Sequence, residues 1–163
     1  MFEHLTTNDD LFTFRLGTAL SAEHDSLEML ETLQKEVTSE DLRQLFAHHA
    51  EETRQQIANI ESCFSILGIP VDDSPSPTTK GLATEAKSLL RKSDETLTDA
   101  IALSGGLETE HYEIAAYTTL IDMADARGLT QIVALLTANL EQEKEASRKI
   151  AAAAHWLTHG QAA

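Results

Sequence analysis

The three prolines of this chain, Pro70, Pro75 and Pro77, all fall in one short stretch, and its seven glycines are scattered thinly. Within a helix, proline costs roughly 3 kcal/mol and glycine about 1 kcal/mol relative to alanine. A chain of 163 residues that confines its strongest helix breakers to one loop has room for very long helices on either side. Too few turn-formers remain for a loop-rich all-β fold. Apolar residues recurring at helical spacing predict four long helices, over about 9–37, 40–67, 97–127 and 130–157. Asn8 or Asp9 is a candidate cap for the first, and Ser39 for the second, with acidic residues following to suit the helix dipole. Gly68 and Pro70 stop the second helix, and Gly128 stops the third. Gly105 and Gly106 weaken the third by about 1 kcal/mol each. Residues 69–80 read as loop, with a short helix over 81–92 and a frayed tail, HGQAA, at the end.

Four helices of this size would each be on the order of 42–46 Å long. Tight turns join the first pair and the last pair, while residues 68–96 form one long crossover. The prediction is therefore all-α: one domain over 1–163, a four-helix bundle with the ferritin-like connectivity rather than simple up-down-up-down.

Composition excludes several functions. Twelve basic and 27 acidic residues give 12 − 27 = −15. Such a chain has little with which to displace counterions from nucleic-acid phosphates or to dock on an anionic membrane. One cysteine, Cys63, rules out an internal disulfide framework and a cysteine-rich metal site. No apolar run approaches the ~18 residues of a membrane span. The start, MFEHLTTNDD, shows no basic and apolar leader, so a cytoplasmic protein is expected.

The informative residues are polar ones inside the apolar stripes. Projected at 100° per residue, the first helix places Glu23 amid Leu16, Ala19, Leu27 and Leu30. The second places His49, Thr53 and Gln56 within its stripe and Glu52 at its edge. The third centres Glu110, with Glu113 at the edge and Tyr117 nearby, and the fourth centres Glu143. The helix midpoints fall near 23, 53, 112 and 143, so antiparallel packing brings Glu23, Glu52, Glu110 and Glu143 to one level. A faint repeat fits this, since Ala22-Glu23-His24 parallels Thr109-Glu110-His111 and Glu52 corresponds to Glu143. Four carboxylates cannot share a dry core unaided, because each buried ion costs several kcal/mol and like charges add repulsion. Protonation relieves part of the cost. Divalent cations relieve it more fully, and carboxylates with one histidine offer them an oxygen-rich shell. The pattern points to a dinuclear centre held by Glu23, His49, Glu52, Glu110, Glu113 and Glu143. Gln56, His111 and Tyr117 stand as neighbours that could orient these ligands by hydrogen bonds. Cys63, on an apolar face, reads as core.

Three stretches, AEHDSLEML, HHAEETRQQI and EHYEIAAY, resemble the YciE/YciF-like bacterial stress proteins of the ferritin-like superfamily. The likeness runs from about residue 9 to 155. It implies a four-helix ferritin-like fold, a homodimer and a rubrerythrin-like di-metal site. The motif residues fall on Glu23, on His49, Glu52 and Gln56, on Glu110, His111 and Glu113, and on Glu143. One departure stands out. The di-iron carboxylate pattern has Glu-x-x-His on two helices, whereas Gln55 and Ala146 follow Glu52 and Glu143 at that spacing, and His49 precedes its glutamate.

Three functions fit. Two Fe or Mn ions could act on peroxide or dioxygen in stress defence. The same site could hold or sense metal without turnover. The bundle could also be purely structural, an interaction partner in a stress complex.

Overall fold

The computed structural model describes residues 4–160. The expectations for Met1–Glu3 and for the tail over residues 161–163 lie outside them. Five α-helices account for most of the described chain, with no strand among these residues. They are α1 (Asn8–Glu36), α2 (Glu40–Leu67), α3 (Pro77–Lys92), α4 (Thr98–Asp125) and α5 (Thr130–His159), with one 3-10 turn at Glu95–Leu97.

Local chemistry sets the ends. Thr7, not Asn8 or Asp9, caps α1, because Thr7 and Asp10 form a reciprocal capping box. Ser39 caps α2 as expected, accepting from the Leu42 amide. The turn before it is clamped from another helix, since Asp99 of α4 accepts from the amides of Thr38 and Ser39. Gly68 and Gly128 adopt φ of 67° and 68°, the left-handed conformation that glycine enters without strain, and terminate α2 and the α4–α5 turn.

One boundary needs correction. The short helix begins at Pro77, four residues before the predicted start at 81. Ser76 caps it through the Thr79 amide, and Pro77 occupies the first turn, where its missing N–H is no loss. The loop therefore ends at Ser76. As expected, α4 runs unbroken through the glycine pair. A Cβ on Gly106 would lie 3.4 Å from Ile150 and 3.6 Å from Phe46, and one on Gly105 would lie 3.5 Å from Ala86 of α3. At these distances an added methyl would make ordinary van der Waals contact with its neighbours.

The long helices pack in a closed cycle: α1 against α2, α2 against α5, α5 against α4, and α4 against α1. The connection from α2 to α4 lies across the outside, with α3 on α4 and α1. It is fastened to α1 by Ser21 Oγ donating to the Asp73 carbonyl (2.8 Å) and Thr79 Oγ1 donating to Asp25 (2.7 Å).

Two apolar clusters fill the interior. One gathers Phe12, Leu16, Leu20, Ile60, Phe64, Leu120 and Leu136, and the other Leu30, Leu33, Phe46, Leu103 and Ile150. Following each chain segment through them gives its direction. α1 and α5 pass from the first cluster to the second, and α2 and α4 pass from the second to the first. The crossover must therefore return along the bundle's whole length, which accounts for its size. Between the clusters lies a buried polar layer: Glu23 and Ser26, His49, Thr53 and Gln56, Thr109, Glu110 and Glu113, Asn139, Glu143 and Ser147.

Candidate metal centre

Each long helix delivers its polar residues to this layer one or two turns apart, so they share a face. α1 supplies Glu23; α2 supplies His49 and Gln56; α4 supplies Glu110, Glu113 and Tyr117; α5 supplies Asn139 and Glu143. All are buried. They meet as two overlapping groups. One ligand atom from each of His49, Glu110 and Glu143 lies within 4.8 Å of the others, and the same holds for Glu23, Glu113 and Glu143. Glu143 belongs to both.

The oxygens have few protein partners. Glu23 Oε2, Glu110 Oε2, Glu143 Oε2 and both Glu113 oxygens are buried without a hydrogen bond. His49 Nε2 lies 3.0 Å from Glu110 Oε1 and 3.8 Å from Glu143 Oε2, yet is aligned for a hydrogen bond with neither. A buried acceptor without a donor costs roughly 1–3 kcal/mol, and more when charged. Several such atoms facing one another are what a cation site requires, and the donor set of carboxylates with one imidazole suits hard or borderline divalent ions.

The remaining contacts hold these groups in place. Tyr117 donates to Glu23 Oε1 and accepts from Asn139 Nδ2 at 2.9 Å. Asn139 Nδ2 also reaches the Gln56 carbonyl (3.2 Å), and its Oδ1 accepts from Asn59 (2.7 Å). The Gln56 amide donates to Glu143 Oε1. Thr53 Oγ1 caps the His49 carbonyl from within α2 (3.0 Å).

Burial shapes the electrostatics. It pushes the Glu23 carboxyl up to about 7, although the Tyr117 hydrogen bond and His49 pull the other way. Burial likewise holds Glu113 and Glu143 well above the usual carboxylate range, with the neighbouring glutamates adding to it. For His49, burial disfavours the charged ring, but Glu110 and Glu52 outweigh it and raise the imidazole to about 9. In the absence of cations the layer thus keeps protons that ordinary carboxylates would release.

The structure brings together Glu23, His49, Glu110, Glu113 and Glu143, with Gln56 and Tyr117 beside them. It does not place Glu52 or His111 among them. Glu52 belongs to neither group; its side chain keeps 18% exposure and lies behind His49, Oε2 to Nδ1, at 3.1 Å. His111 is on the exposed face of α4. Glu52 and Glu143 are therefore not equivalently placed: Glu143 is buried in the layer, and Glu52 is partly exposed beside His49. Asn139 was missed, although it precedes Glu143 by four residues and so shares its face. Cys63 is buried in the apolar cluster, and burial pushes its thiol up to about 12, out of reach of thiolate chemistry at neutral pH.

A model of a domain of unknown function, DUF892, matches residues 7–163. The chain belongs to the DUF892 family. YciF of Escherichia coli K12 is 30% identical to this DUF892 chain over 149 residues, 90% of each. The crystal structure of the E. coli stress protein YciF matches with a TM-score of 0.88 at 29% identity, covering 93% of this chain and 97% of that one. YcfI of Rhodopseudomonas palustris, described as a candidate structural protein, matches with a TM-score of 0.87 at 34% identity and the same coverage. A Xanthomonas campestris protein, at 20% identity, a TM-score of 0.74 and coverage of 93% and 94%, shares the fold. The resemblance carried by EHYEIAAY and its companion motifs thus extends over nearly the whole DUF892 chain. None of its described helices is long and apolar enough to cross a membrane.

Proposed function

We propose that this DUF892 chain is a ferritin-like four-helix bundle whose polar layer holds two divalent cations, Fe or Mn, and that it acts on peroxide or dioxygen as a stress-response redox protein. The observation that carries the reading is the pair of three-residue groups sharing Glu143, in which Glu23 Oε2, Glu110 Oε2, Glu143 Oε2 and both Glu113 oxygens are buried without donors. Charge supports it as well. Four buried carboxylates, Glu23, Glu110, Glu113 and Glu143, carry −4 when ionised, and two divalent ions carry +4. With His49 neutral, the layer closes at zero, so the desolvation cost of isolated charges is avoided.

Bound Fe or Mn supplies the electrons and Lewis acidity that reduction of an oxidant needs. The chain's own residues do the rest. His49 and Glu110 complete one group, Glu23 and Glu113 the other, and Glu143 spans both. Tyr117 and Gln56 fix one oxygen each of Glu23 and Glu143, which turns the second oxygen toward the group. The apolar clusters above and below exclude water, which strengthens electrostatic interactions inside. The family likeness adds a homodimer to the proposal.

Elemental analysis of protein purified without added metal tests this. Two Fe or Mn per chain is the expected result. Absence of bound metal after incubation with either ion contradicts it. A second reading, a metal-holding or structural bundle without turnover, draws on the description of the R. palustris relative and on the depth of the layer. A loaded sample that neither consumes peroxide nor changes oxidation state supports that reading over the first.

A further inference from the structure

We infer that Glu52 is a positioning residue for His49 rather than a metal ligand, holding the imidazole so that Nε2 faces Glu110 and Glu143. The inference rests on the metal reading above and revises one of its sequence-derived ligands. An imidazole can ligate through one nitrogen while the other donates its proton, and that second bond fixes which nitrogen is free. Here Nδ1 lies 3.1 Å from Glu52 Oε2, while Nε2 lies 3.0 Å from Glu110 Oε1 and 3.8 Å from Glu143 Oε2. The ring thus stands between Glu52 and the layer. Glu52 has no atom in either three-residue group.

The pairing is built into α2. His49 and Glu52 are one turn apart, a spacing at which side chains on a helix meet. The other Glu52 oxygen lies 3.4 Å from Nε2 of His48, an exposed neighbour on the same helix, so the carboxylate is braced between two histidines at the rim of the bundle. Loss of Glu52 leaves a buried Nδ1 without its acceptor and frees the ring to turn or change tautomer. Removal of such an outer partner typically weakens metal binding 10–100-fold.

Zn2+, which undergoes no redox change, is the probe. Wild type, E52Q and E52A, full-length and checked for equal helicity, are titrated with Zn2+, and the imidazole nitrogens of the loaded proteins are observed by 15N NMR. Wild type is expected to bind two Zn2+, with His49 protonated at Nδ1 and bound at Nε2. E52Q keeps an oxygen acceptor and both cations. E52A keeps one cation and binds the other about 10–100-fold more weakly, with its His49 tautomers mixed. An E52Q protein that loses a cation as completely as E110A, or a loaded wild type with Nδ1 unprotonated, overturns the inference. Failure of wild type to bind Zn2+ defeats the metal reading and the purpose given to the pair. The pair itself is then read in zinc-free protein, where a missing hydrogen-bonded Nδ1–H resonance shows that it does not form.

Discussion

Glu143 is the residue on which both halves of the buried layer depend, since it is the member common to the two groups. Glu143→Gln is expected to abolish stoichiometric binding of both cations, whereas Glu113→Gln removes one. Metal-to-protein ratios after gel filtration distinguish these outcomes. The protonation states give a second prediction. Glu23 is raised to about 7 in the folded chain, so between its ordinary value of 4.5 and 7 the native state holds a proton that the unfolded state has released. Stability of chelated protein must then fall as pH rises, by on the order of 3 kcal/mol from this group alone. His49, raised to about 9, acts in the same direction: its contribution is present below 6.5 and is lost as pH rises through 9. Urea unfolding in chelator from pH 5 to 9 is expected to show a steady decline, and a flat or rising profile contradicts the described layer. At this scale, helical periodicity was sufficient to find Glu23, Glu110 and Glu143, because each lies central to an apolar stripe. It is ambiguous where a residue lies at the stripe's edge. Projection at 100° cannot tell whether Glu52 turns inward or, as found, lies behind His49, nor whether Glu113 is buried, as it is.

The surroundings of Gly106 test the weakness that composition marks in α4. Gly106 leaves room for Ile150 and Phe46, with 3.4 Å to the nearest atom from a built Cβ. Alanine just fits there and gains up to about 1 kcal/mol of helix propensity, whereas Gly106→Leu forces overpacking that costs about 1–3 kcal/mol. Thermal melts of the two variants are expected to move in opposite directions. Asp99 makes a comparable test between elements. It receives the amides of Thr38 and Ser39 and the Thr38 hydroxyl across the start of α2. Asp99→Ala is expected to lower stability by about 1–3 kcal/mol in urea unfolding. The four long helices were legible because their breakers are few. The start of α3 was not, because Ser76-Pro77 has the composition of a loop and is equally a cap followed by a first-turn proline. The clamp from Asp99 joins residues some sixty positions apart, which local pattern cannot reveal.

For the molecule as a whole, a polar layer between two apolar clusters makes stability depend on what fills it. Apolar burial holds the two ends together, while the middle carries unpartnered oxygens, which on the proposed reading a cation satisfies. A ligand at 100 times its dissociation constant adds about 2.7 kcal/mol, and a domain of this size gains roughly 2–4 °C per kcal/mol. Mn2+ is therefore expected to raise the melting temperature by about 5–10 °C for each site filled at that excess. It should also reverse the pH trend, since higher pH frees the ligands. Scanning calorimetry with Mn2+ and with chelator reads both effects. The most direct test is anomalous diffraction at the Mn edge from crystals of Mn2+-loaded protein. The account predicts two peaks in the polar layer, one on either side of the Glu143 carboxylate; a layer without anomalous density, with its glutamates protonated and bonded to one another or to water, contradicts it.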